Sequence, residues 1–244
     1  MPLKELLASI ERRLPPALSA RLRFHSQRHT FFYPFGTAMN GLTSRLEATR
    51  QILFRCGIRQ IIETGTFRGT TTEWFAKFGI PVYTIESNRH NYEFAKLRLG
   101  GRTNVHVELG NSAEVLPTLA SRLDPAVPTF IYLDAHWENY LPLKEEISFI
   151  TANFNAAVIL VDDFQVPGDP TYVYDDYGPG KALDNNYLKA CWVEGMTAYY
   201  PSTPAVEESS SPIGTRSGWV VLTTNPELAA VLAQIQLLRA APIY

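Results

Sequence analysis

Residues 59–72 read RQIIETGTFRGTTT, and the fold follows from what this stretch asks of the backbone. Ile61 and Ile62 are β-branched and apolar, suited to a buried parallel strand that runs out at Glu63. Gly65 and Gly69 then admit backbone angles closed to other residues, and the hydroxyl run Thr70, Thr71, Thr72 leads into a helical pattern through Trp74, Phe75 and Phe78. A strand, a glycine turn and a helix start make a cradle for an anion or nucleotide, because N–H groups are free there and no side chain holds the ligand off.

The alternation continues on the C-terminal side. Strand patterns at 58–63, 82–86, 105–109, 130–134 and 157–162 are separated by helical patterns at 70–78, 92–99, 113–123 and 141–150. That order predicts a Rossmann-like, doubly wound α/β fold with right-handed crossovers and helices on both faces. Two further strands, 196–200 and 219–223, bracket a polar stretch and give a mostly parallel seven-stranded sheet with an antiparallel edge strand. A short helix is expected at 187–192, and an amphipathic one at 227–239 carries Leu228, Val231, Leu232, Ile235 and Leu238. Between the fifth strand and these elements, residues 164–188 (FQVPGDPTYVYDDYGPGKALDNNYL) have no period. Such a loop in a compact domain is usually functional, and Tyr174, Asp175, Asp176, Tyr177 and Lys181 are placed to close over a substrate.

Upstream, residues 1–14 carry Leu3, Leu6, Leu7, Ile10 and Leu14 at helical spacing, Pro15-Pro16 breaks the pattern, and residues 24–41 are dense in aromatics. A helix at 43–55 ends at Cys56-Gly57, where Gly57 suits a C-terminal cap. Residues 1–56 therefore read as a helical arm or cap, covering the core, a substrate mouth or a second copy, and 57–244 as the ligand-binding domain of a single globular unit.

Composition narrows the partners. The 244 residues are 45% hydrophobic and 19% charged with a net charge of −2, which leaves no basic footprint for nucleic acid and points to a small-molecule partner. No stretch reaches eighteen unbroken apolar residues, so stable membrane insertion is not expected, and the charged N-terminal helix does not read as a signal peptide. Cys56 and Cys191 have neither disulfide nor zinc spacing, which fits a reducing, cytoplasmic setting.

The carboxyl ends of parallel strands share one rim, so Glu63, Glu86, Asn111-Ser112 and Asp134 converge although they are far apart in sequence. Glu86 follows the first turn glycine at close to the spacing of about 20 residues at which an acid meets ribose hydroxyls. A dinucleotide site normally has three glycines, G-x-G-x-x-G, whereas Gly65 and Gly69 are the two here, which weighs against NAD.

These motifs, in this order, resemble the class I S-adenosylmethionine-dependent methyltransferases over residues 57–163. The resemblance implies that Glu63, Gly65, Phe67, Gly69 and Thr70 surround the methionine part of the cofactor, that Glu86 holds the ribose, and that Asn111 and Ser112 flank the adenine, with Asp134 beside them. Asp134, Asp162 and Asp163 end two successive strands, and three like charges sharing a site call for a hard cation such as Mg²⁺. In this the chain resembles the metal-dependent small-molecule O-methyltransferases of the catechol and macrolide-sugar types. Their metal orients two adjacent substrate hydroxyls and lowers the pKa of one. The catechol type has a lysine three residues after the first Asp; here Trp137 stands there, and His136 is the candidate base. The activity expected is metal-assisted O-methylation of a small hydroxylated acceptor such as a sugar or phenol. Two alternatives stay open: an NAD-dependent dehydrogenase on a similar sheet, and a non-catalytic cofactor-binding protein. A homo-oligomer joined through the N-terminal arm is also an expectation.

Overall fold

A computed structural model describes residues 13–27, 37–137, 140–208 and 216–241. The amphipathic pattern of residues 3–14 falls almost wholly outside these, and the oligomer expectation built on it lies there too.

The described elements run α1 (Pro16–Gln27), α2 (Thr43–Arg55), β1 (Gln60–Thr64), α3 (Thr70–Ala76), β2 (Val82–Glu86), α4 (Arg89–Leu99), β3 (Val105–Leu109), α5 (Ser112–Ala120), β4 (Thr129–Leu133), α6 (Leu143–Asn153) and β5 (Ala157–Val161), followed by α7 (Asn185–Lys189), β6 (Thr197–Pro201), β7 (Val220–Thr223), α8 (Pro226–Leu232) and β8 (Leu238–Ala240). They form one eight-stranded sheet in the order β3-β2-β1-β4-β5-β7-β6-β8. The first five strands are mutually parallel, and β7 runs against both β5 and β6. The antiparallel edge is β8, paired with β6. It is the strand by which the sheet exceeds the seven expected.

Pleating sends alternate residues to opposite faces, and each face has its own apolar layer. Ile62, Ile131 and Ile159 pack with Leu116, Leu119, Ile147 and Ile150 under α5 and α6. Ile61, Phe130, Val158 and Leu160 pack on the other face with Ala48, Ile52 and Leu53 of α2 and Phe75 of α3. Near-complete burial of β1, β4 and β5 on both faces is what a central parallel strand requires, and their apolar runs supply it.

Helix starts follow local chemistry. The Asn88 side chain accepts from the N–H groups of His90 and Asn91 to open α4, and Asn225 does the same for Glu227 and Leu228 at α8, with Pro226 in the first turn. Pro16 likewise begins α1 where the sequence suggested only a break, because the first helical position needs no N–H. Phe24 of α1 meets the Phe94 ring of α4 edge-on at 5.5 Å. The helix expected to continue to residue 239 ends instead at Leu232, and Leu238 enters β8.

Candidate active site

The glycine turn and the end of β4 are in backbone contact. Gly65 has φ 86°, and a Cβ there would stand 2.2 Å from the Asp134 carbonyl oxygen, so only glycine lets the turn lie against the fourth strand end. The Asp134 N–H donates to the Thr64 carbonyl at 3.0 Å, fixing the junction from the other side. The cofactor-type loop and the carboxylate cluster are thus one rigid corner.

In that corner Asp134, His136 and Asp163 offer ligand-type atoms that all lie within 4.8 Å of one another. His136 Nε2 is buried and has no hydrogen-bond partner. It faces Asp163 Oδ2 at 3.8 Å and Asp175 Oδ2 at 3.7 Å, distances of ion pairing rather than hydrogen bonding. Asp163 has φ 48°, a left-handed conformation costly to a residue with a Cβ, and it turns the side chain toward this group.

Burial, then the neighbouring Asp163 charge, push Asp134 up to about 7. For His136, burial opposes the charged form, but the Asp163 carboxylate beside it and the charges of Asp134 and Asp175 outweigh it and raise its pKa. Burial would also raise Asp163, yet His136 and Arg45 hold it below the usual carboxylate range. The corner is therefore short of positive charge and suited to a bound cation.

Asp162 is not part of this group. Its Oδ1 pairs with the guanidinium of Arg45 from α2, both side chains being fully buried, and its Oδ2 accepts from the Tyr132 hydroxyl. The Asp163 N–H also donates to Asp162 Oδ1 at 2.8 Å. The expected triad of Asp134, Asp162 and Asp163 is thereby rearranged: the structure brings His136 to Asp134 and Asp163 and sets Asp162 inward, because Arg45 neutralises it there.

No protein-family model matches the chain. Catechol O-methyltransferase of Sus scrofa is 28% identical over 131 residues, spanning 50% of this chain and 68% of that protein. The O-methyltransferase TomG of Streptomyces achromogenes, involved in tomaymycin synthesis and solved with S-adenosylmethionine, superposes with a TM-score of 0.54 at 19% identity, covering 91% of this chain and 96% of that one. An O-methyltransferase of Bacillus cereus solved with S-adenosylhomocysteine gives 0.54 at 16% identity over 89% and 94%. The chain thus has the fold of these methyltransferases, and over half of its length it is similar in sequence to one of them.

The remaining sequence-predicted residues take distinct places. Glu86 clasps the glycine turn: Oε2 accepts from the Phe67 N–H and Oε1 from the Asn88 N–H, each at 2.7 Å. Its pKa is raised by burial against those two bonds. Phe67, at φ 48°, and Gly69, at φ 76°, shape the turn around that contact. Glu63 lies fully buried beneath it, Oε2 accepting from the hydroxyls of Thr72 and Thr84 while Oε1 has no partner; burial pushes its pKa up to about 8, so it stays protonated near neutrality. Thr70 accepts from Arg98 at 2.7 Å on the α4 side. Asn111 is exposed at the start of α5, whereas Ser112 is buried beside the Tyr140 hydroxyl at 3.5 Å. Trp137 is 70% exposed, pinned by a reciprocal backbone pair with Tyr140 at 2.8 Å.

From the long loop, Asp175 and Tyr177 reach the corner, while Tyr174, Asp176 and Lys181 face solvent. Sequence reasoning missed Arg45, Tyr132 and Met39. Arg45 shares the buried stripe of Ala48, Thr49 and Ile52, and a cation on an apolar stripe is the signal that asks for a buried partner. Tyr132 lies two residues before Asp134 on the same strand face, with its hydroxyl 3.3 Å from Asp134 Oδ2. Met39 sits in a left-handed turn at φ 47°, its N–H donating to Thr71 Oγ1 at 3.1 Å, which ties the segment before α2 to the start of α3.

Proposed function

We propose that this chain is a methyltransferase that moves the methyl group of S-adenosylmethionine to an oxygen of a small hydroxylated acceptor, with a divalent cation at the Asp134 corner. The observation that carries the reading is the contact of the glycine turn with Asp134, which puts the cofactor loop and the cation-type cluster on one rim.

The residues fit a cation. Two carboxylates and an imidazole share the corner, and the buried, unpartnered Nε2 is an atom left in want of a ligand. When bound, the ion would orient neighbouring hydroxyls and favour ionisation of one of them. Asp134, His136 and Asp163 would hold it. The His136 Nε2 is buried, unpartnered and grouped with the Asp134 and Asp163 carboxylates, so a ligand role suits it better than that of base. The Glu86 carboxylate would receive the ribose diol while bracing the turn, and Ser112 would border the adenine. Protonated Glu63 supports the turn from below without placing a second negative charge beside Glu86. Acceleration then comes chiefly from aligning sulfur, methyl and oxygen.

The test is transfer of labelled methyl from S-adenosylmethionine to a panel of catechols and sugar diols. Label should appear in an ether oxygen position and be abolished by EDTA, then restored by added divalent metal. Methylation that persists undiminished in EDTA would contradict the cation assignment, and no transfer to any hydroxylated acceptor would contradict the acceptor class.

A further inference from the structure

Two segments hold the Asp162-Asp163 strand end from opposite sides, and one buried carboxylate joins them. From the arm, Arg45 pairs with Asp162. From the loop after β5, the Asp175 N–H donates to the Asp163 carbonyl at 2.9 Å. Glu208, buried where the chain leaves a short turn at Ala205–Glu207 after β6, reaches both segments. Its Oε2 accepts from the N–H of Ser44, the neighbour of Arg45, at 3.3 Å, and its Oε1 accepts from the Ser44 hydroxyl. The Tyr172 hydroxyl, in the loop that leads to Asp175, stands 3.2 Å from the same Oε1 and 2.9 Å from the Thr203 carbonyl. Burial, then the Glu208 charge, raise the Tyr172 pKa and keep its hydroxyl a donor. Beyond Tyr172 the loop is fastened again, the Val173 N–H donating to the Arg216 carbonyl at 3.0 Å and the Gly218 N–H to the Val173 carbonyl at 2.8 Å. Helix α2 has no side-chain cap of its own, since Leu42 precedes it, and the Glu208 carboxylate takes that place at the positive end of the helix dipole. A local Ser or Asp would cap the helix equally well; a carboxylate brought from 164 positions away also ties what it caps to a distant segment.

We propose that Glu208 is a positioning residue for the acceptor side of the site: it clasps the first turn of α2 to the loop at Tyr172, so that arm and loop keep their places about the strand end as one unit. Glu208, Ser44 and Tyr172 all stand outside the cation-type group and the glycine turn, so the clasp acts through the two segments and not on the cofactor cradle. Without it each segment keeps its own bond, to Asp162 or to Asp163, but the two fluctuate separately, and an acceptor meets a mouth whose walls are out of step. Small misplacement of groups that position a substrate costs rate out of proportion to the bond that was lost. The acceptor-side role rests on the proposed methyl-transfer reading; the coupling of arm to loop does not.

The experiment pairs amide hydrogen exchange with kinetics on Ser44→Ala, Tyr172→Phe and Glu208→Gln, each of which weakens the clasp and leaves the corner untouched. Ser44→Ala removes a contact of the arm alone, yet should speed exchange of the Val173 and Asp175 N–H groups in the loop by at least about tenfold, the scale of one hydrogen bond to a charged group. Tyr172→Phe should do the same to the Leu46 N–H, which donates to the Leu42 carbonyl at 3.0 Å in the first turn of α2. Glu208→Gln keeps an acceptor oxygen and should fold as the parent by circular dichroism. It should raise the KM for the acceptor, a catechol or a sugar diol, by at least about tenfold while the Kd for S-adenosylmethionine stays within about twofold. Loosening confined to the segment that carries the substitution would overturn the clasp. A parental acceptor KM in Glu208→Gln, or an equal loss of cofactor affinity, would overturn its acceptor-side role. Loosening across both segments in a chain that transfers no methyl group would leave the clasp standing and remove the methyl-transfer reading instead.

Discussion

Asp134→Ala should lose methyl transfer by at least about a thousandfold, the scale on which removing a key electrostatic group acts, and should lose its response to metal in the same step. Three roles meet at this residue. Its carboxylate belongs to the cation-type cluster, its carbonyl abuts Gly65, and its side chain lies 3.3 Å from the Tyr132 hydroxyl. Alanine keeps the backbone contacts, including the N–H donated to Thr64, so the glycine turn should hold its shape. The fold should also tolerate the change, since the native carboxyl is buried and pushed up to about 7, and removing a carboxylate that its surroundings disfavour costs little. Steady-state assays with and without added metal, beside a thermal melt, check the claim. Full activity in a folded variant would refute the role of Asp134, and collapse of the fold would refute its separation from stability.

Arg45→Met should destabilise the chain by about 3–5 kcal/mol, the cost of leaving one partner of a buried ion pair alone. Arg45 and Asp162 are both fully buried, and the guanidinium also donates to the Met39 carbonyl, so one substitution strands a charge and frees the turn before α2. Combining it with Asp162→Asn should recover part of the loss, because the stranded charge is then gone. Urea denaturation of the single and double variants measures both. The double variant should still bind the cation, since Asp162 stands outside the cluster. A single variant within about 1 kcal/mol of the parent, the range of exposed pairs, would show that the buried pair is not formed.

Much of this was legible in the sequence where the signal was local. The limits of β2 and β3 coincide with the expected 82–86 and 105–109, because short apolar runs bounded by turn residues leave little choice of register. The rim of Glu63, Glu86, Ser112 and Asp134 follows from parallel strands alone. Long-range pairing is where the reading ran short. Nothing near Asp162 announces that Arg45, 117 positions earlier, will neutralise it, so three adjacent carboxylates read as three ligands. The C-terminal error has a different cause: Leu228, Leu232, Ile235 and Leu238 are all buried, yet they pass from helix through turn into β8, and continuous burial imitates a single amphipathic period. Among the described residues no helix is long and apolar enough to cross a membrane.

The most direct test of the central claim is calorimetric titration of the purified chain with S-adenosylmethionine, first in EDTA and then with divalent metal. The glycine turn, Glu86 and Ser112 should give saturable one-to-one binding in both, since none of them belongs to the cation cluster. Absence of binding in both, with NAD binding in its place, would contradict the account at its root.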